Sequence, residues 1–116
     1  MPVDFYDLLQ NHAAVFFLLL TRVSGVFVIA PFFGSINIPM YIRVGTALAI
    51  SLVLFPAVDQ LAVVQAPVTV LSYSFAVLVE LFIGWLIGFV AYISFSAIHM
   101  AGKIMDMQVG FSIVNV

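Results

Sequence analysis

Cysteine is absent from the 116 residues, which excludes a disulfide framework and any thiolate metal site. Charge is scarce. Asp, Glu, Lys and Arg make up 7% of the chain, against about 25% in soluble domains. Three Lys and Arg residues form no basic patch, and a net charge of −2 gives no footprint for a nucleic-acid partner. Also missing are the groupings that enzyme chemistry needs: a His/Cys/carboxylate cluster at metal spacing, a phosphate-cradling glycine loop, a carboxylate pair. His12 and His99 stand far apart, and a lone histidine is usually structural. No catalytic residue, metal site or cofactor is expected. Met1–Asn11 carries Asp4 and Asp7 but no Lys or Arg, so the basic region of a secretory signal is lacking. The first apolar run is expected to be retained.

What remains is oil. Hydrophobic residues are 66% of the chain, against roughly 45–50% in soluble domains. The runs Val15–Leu20, Leu81–Ile83 and Trp85–Ile87 are solidly apolar. Lipid-spanning strands would alternate instead, so helices are predicted. The fold class is all-α membrane protein, one helical domain over residues 1–116 with helices at about 11–30, 40–55 and 68–105.

The first helix, Asn11–Ala30, has Asp7 or Asn11 as candidate caps and Pro31 as its stop. Arg22 lies well inside it. An arginine in hydrocarbon costs about 2.5 kcal/mol or more, so it should face protein, water or an acidic partner. Either it snorkels or pairs within the fold, or it lines a pathway. The connection Pro31–Arg43 is broken by Pro31, Gly34 and Pro39; its Phe32, Phe33 and Tyr41 suit a membrane interface or a partner surface. The second helix runs from Met40 to Phe55 and is predicted to end at Pro56. Its uncharged part, Val44–Phe55, is short enough to be buried or re-entrant. A linker, Pro56–Pro67, follows.

Val68–Ala101 dominates the chain. As one helix it would be about 50 Å long, against a hydrocarbon core of about 30 Å. Gly84 and Gly88 form G-x-x-x-G, with Glu80 one turn earlier on the same face. Such spacing lets two helix backbones approach closely; a hinge is the other reading. If the three runs alternate in direction, Arg43 and Lys103 share one side, cytoplasmic by the positive-inside rule. Arg22 then lies about 16 Å along the first helix and Glu80 about 18 Å along the third, entering from the same side. A charge pair between them is expected. One helix holds a charge, one is short and one is long, a pattern of helices buried mainly against other protein.

From Tyr92 the polar residues Ser96, His99, Lys103 and Asp106 recur in steps of three or four, which puts them on one helix face. That stripe is either a solvated face or the lining of a water-filled path. Next comes MDMQVGFSIVNV. Met105 and Met107 are soft side chains that adapt to irregular gaps. Gly110 is expected to break the helix, leaving Phe111 on a loop from about residue 106. Non-helical backbone at membrane depth survives only inside protein or beside a cavity, so the loop is either a core loop or a gate.

Three stretches resemble the FliR family, a membrane subunit of the flagellar export gate that is similar to the matching subunit of virulence type III secretion systems. They are Arg22 with PFFGSINIPMYIR (31–43), ELFIGWLIGF (80–89) and GKIMDMQVGFS (102–112). The third is the most specific. The resemblance implies a non-enzymatic subunit that assembles with FliP and FliQ into a closed helical channel for unfolded flagellar export substrates, and that contacts an FlhB-like subunit. The fold implied is helical hairpins in a multi-subunit assembly, FliP-like in its N-terminal part. The FliQ-like hairpin is expected to be absent, since the sequence stops at Val116 within the third stretch. The location implied is the bacterial inner membrane at the flagellar basal body, in contact with lipid and extending toward the periplasm. Met105, Met107, Gln108, Gly110, Phe111 and Ser112 fall where the family plugs its closed pore.

Two other readings compete. One is a fragment of a small-solute transporter or channel, with Arg22 and Glu80 as a midplane charge site. The other is a helix-packing subunit that guides assembly and never meets a substrate.

Overall fold

The computed structural model describes residues 4–30, 37–61 and 66–114. Phe32, Phe33 and Gln65 lie outside these residues, as does the side chain of Ser112. All regular structure among the described residues is helical: α1 (Phe5–Ile29), α2 (Met40–Leu61) and α3 (Val70–Val114). Each is long and apolar enough to cross a membrane. The chain is an all-α membrane protein.

α1 starts earlier than the sequence suggests. Asp4, in extended backbone, precedes the first turn without a side-chain cap. Its carbonyl accepts from Asp7 N at 2.9 Å and Leu8 N at 3.2 Å. Asp7 favours the first turn electrostatically. At the other end Ala30 is already extended, as a residue before proline must be.

α2 opens on Pro39, whose carbonyl accepts from Ile42 N and Arg43 N. It does not stop at Pro56, which sits inside a 22-residue helix. Proline removes one ladder bond, to the Leu52 carbonyl, and in membrane helices local adjustment absorbs that loss. The short, re-entrant helix expected here is therefore corrected: Met40–Asp59 has the length and composition of a full span.

α3 is continuous for 45 residues, about 67 Å. The break at Gly110 and the loop from residue 106 do not occur in this structure. Gly102 and Gly110 sit within the helix with no other group within 4 Å of where a Cβ would stand. Glycine weakens a helix by only about 1 kcal/mol, and α3 continues through both positions.

α1 lies between the other two; α2 and α3 do not pack on each other among the described residues. Phe16 stacks edge-on against Phe55 at 5.7 Å, and Val23 and Phe27 bury with Ala47. Early residues of α1 thus meet late residues of α2, so the two are antiparallel. Against α3 the order is the reverse. Ala14 meets Tyr73, Arg22 meets Glu80, and Val26 meets Gly88, so α1 and α3 are parallel. Level with the end of α1, at Gly88, α3 has not yet reached its middle. It then continues for about 39 Å with no other described element beside it, which accounts for a molecule extending 82 Å along its long axis and 24 and 23 Å across it.

Candidate functional site: the α1–α3 seam and the free half of α3

Two glycines of α3 and one of α1 set the seam. A Cβ on Gly84 would overlap the carbonyl oxygen of Arg22, one on Gly88 would come within 2.8 Å of the Val26 carbonyl oxygen, and one on Gly25 within 2.9 Å of the Leu81 carbonyl oxygen. In all three cases the obstacle is backbone, which cannot swing aside. Gly84 and Gly88 thus have the helix-contact role among the two their spacing allowed. Gly25, the reciprocal small residue on α1, is one that sequence reasoning missed. Its signal was only the small pair Ser24-Gly25 beside a charge.

One turn before Gly84, the Arg22 guanidinium grips the Glu80 carboxylate with both prongs. Nε donates to Oε2, and Nη2 donates to Oε1 at 2.8 Å. Paired N–H donors on a carboxylate make the strongest common ion-pair geometry. The side chains are 42% and 21% exposed respectively, so the pair is covered on one side and open on the other. Its two charges cancel, so the pair presents no net charge to a solute, while the guanidinium keeps N–H donors that Glu80 does not take.

A polar cluster closes the opposite end of the bundle. His12 Nδ1 lies 2.8 Å from an Asp59 carboxylate oxygen. Asn11 Oδ1 accepts from Ala66 N at 3.0 Å, and the Tyr73 hydroxyl donates to the Ala14 carbonyl at 3.1 Å. Asn11 therefore ties down the α2–α3 connection and does not cap α1. None of these contacts is legible from local spacing, because each joins residues of different elements.

The free half of α3 is the second candidate. From Tyr92 to Val114 every residue whose side chain is described is exposed. His99, Lys103 and Asp106 lie on it without an ion pair among them. Met105, Met107 and Phe111 project their apolar bodies at 63%, 59% and 73% exposure, with Gln108 and Gly110 between them. Upstream, Leu78, Leu81, Phe82 and Trp85 are exposed as well. So much bare apolar surface on a monomer marks a protein or membrane contact. No group of three or more His, Cys, Asp or Glu able to hold a metal occurs among the described residues.

The family model described as "Bacterial export proteins, family 1" matches residues 13–116. The chain is 33% identical over 101 residues, 87% of its length, to the flagellar biosynthetic protein FliR of Bacillus subtilis (strain 168). It is also 33% identical over 112 residues, 94% of its length, to the Yop proteins translocation protein T of Yersinia pestis. The chain spans 38% of the first relative's length and 41% of the second's. No solved structure gives a significant match.

Proposed function

We infer the function from membership: this chain belongs to the bacterial export proteins, family 1, in which flagellar and Yop-translocation relatives are equally identical to it. The reading is a non-enzymatic subunit of a bacterial type III protein export apparatus, flagellar or virulence in type. It sits in the inner membrane at the base of that apparatus and packs its helices against FliP-, FliQ- and FlhB-like subunits. It helps to form and close the conduit for unfolded export substrates.

The observation that carries this reading is the second half of α3. A helix of about 34 Å from Tyr92 to Val114 has no neighbouring element among the described residues, yet it bears Phe95, Ile98, Met100, Ile104, Met105, Met107 and Phe111 on its exposed surface. α3 is about twice the length that hydrocarbon covers. Lipid alone leaves part of it in water; a sheath of sister helices does not. Met105, Met107, Gln108, Gly110, Phe111 and Ser112 form the end that closes the conduit, an apolar constriction excluding water and ions until a substrate arrives.

The test is co-expression with FliP- and FliQ-like subunits, mild-detergent purification and planar-bilayer recording. A stable complex that is silent with the native chain and leaks small ions with Phe111→Ala or a change at Gly110 is expected. A chain that leaves the co-expressed subunits behind and elutes as a monomer sinks the assembly; unchanged conductance in an intact complex sinks the sealing role.

A further inference from the structure

A guanidinium carries five N–H donors in a fixed fork. Glu80 accepts one from Nε and one from Nη2 of Arg22. No described group accepts from Nη1, and the side chain is 42% exposed. The unused edge of the fork thus faces outward from the chain.

Where it faces is decided by the seam. Arg22 is well inside α1, about 10 Å from the end at Ile29, and Glu80 is about 15 Å into α3. The Arg22 backbone is clamped beneath Gly84, and its head is held by both carboxylate oxygens. A free arginine at this depth would snorkel to the headgroups. This one cannot travel without breaking the pair, and unsatisfied donors in hydrocarbon cost several kcal/mol.

We propose that the outward edge of Arg22 is a docking point for a second membrane polypeptide, a helix that presents a neutral oxygen acceptor: a freed backbone carbonyl or an Asn, Gln, Ser or Thr side chain. The charge balance selects neutrality. Arg22 and Glu80 already sum to zero, so a further carboxylate would leave one net negative charge in a medium of low dielectric. A neutral oxygen, with two lone pairs, takes up as many as two of the three remaining donors and adds no charge. The inference rests on the reading that this chain assembles with sister membrane subunits; it adds where one of them docks and with what chemistry.

The experiment uses the complex of the full chain with its export-apparatus subunits. Replacing both members of the pair by apolar residues of similar size, Arg22→Met with Glu80→Leu, is often neutral for the chain that carries it. It removes every outward donor and strands the partner's acceptor. Helicity and detergent unfolding of the purified chain are expected to match the native chain. Recovery of the partner subunit is expected to fall roughly tenfold to hundredfold, the worth of a hydrogen bond from a charged donor. In parallel, photocrosslinkers replacing Thr21 and Leu81, the neighbours of the pair in sequence, are expected to label a partner helix bearing a neutral acceptor at that level. Undiminished partner recovery with the double variant overturns the proposal, as do crosslinks confined to lipid or this chain, or a carboxylate acceptor. If the double variant does not fold, the crosslinks in the native complex decide alone. Failure of the native chain to form any complex counts instead against the proposed function.

Discussion

Gly84 lies directly over the backbone carbonyl of Arg22. A Cβ there would overlap the carbonyl oxygen and stand 3.1 Å from its carbon and 3.2 Å from Val26 N. Gly84→Ala must therefore push α3 off α1, and in doing so it draws Glu80 away from the guanidinium. Overpacking of this kind costs about 1–3 kcal/mol, and the weakened ion pair adds to it. The control is Gly45→Ala on α2, where nothing lies within 4 Å and helix propensity improves by up to about 1 kcal/mol. Unfolding of the purified chain in detergent, followed by circular dichroism, should show the first variant falling and the second holding or rising. Matching midpoints would mean that the seam does not hold the helices together.

The ion pair itself is open to a double-mutant cycle. Glu80→Ala leaves an unpaired guanidinium well inside a span. Breaking a buried pair typically costs about 3–5 kcal/mol, but Arg22 is 42% exposed, so the loss should be smaller wherever water reaches it. Removing both partners should be milder than removing Glu80 alone, with a coupling of about 1–3 kcal/mol. Equal destabilisation by Glu80→Ala and by Glu80→Ala with Arg22→Ala would show that the two act independently.

Residues that report on their own surroundings were readable without coordinates. Arg22 and Glu80 are two charges in oil at similar depth along helices that enter from the same side, and depth alone brings them together. Pro31 halts α1 because it forces Ala30 extended. Met40 starts α2 because Pro39, which has no N–H to leave unsatisfied, serves well just before a helix and offers its carbonyl to the first turn. What stayed hidden depends on the rest of the fold. Pro56 looks like a stop because its missing N–H is a local property, while tolerance of that loss is set by the membrane environment. Gly110 looks like a break for the same reason, yet α3 passes through it. Gly25, His12 with Asp59 and Asn11 with Ala66 are meetings of distant segments, and no periodicity announces them.

Pro56 offers a test of that distinction. If α2 runs through it to Leu61, the Leu52 carbonyl is the one ladder acceptor robbed of its backbone donor. Pro56→Ala restores the N–H and relieves the ring's crowding of that carbonyl. The expected result is a gain in stability of the purified chain, up to about 3 kcal/mol if the surroundings do little to compensate, with helical content unchanged. A rise in helical content would mean instead that α2 ends at Pro56 in solution and that alanine extends it.

Gly102 and Gly110 separate the needs of the helix from those of the assembly. Both sit in the free half of α3 with open space where a Cβ would go. In the purified chain each Gly→Ala change should strengthen the helix by up to about 1 kcal/mol. Slower amide exchange across residues 102–114 would measure that gain. Inside the assembled apparatus the same space is occupied by neighbouring chains, on the reading proposed above. An added methyl at Gly110, beside Phe111, should then disturb the closure and admit small ions, while Gly102, two turns earlier, tolerates it better. A Gly110→Ala complex with slower exchange and no leak would show that this stretch is an ordinary exposed helix and that the seal lies elsewhere. Leakage from both variants alike would shift the constriction toward Lys103 and the start of the methionine-rich segment.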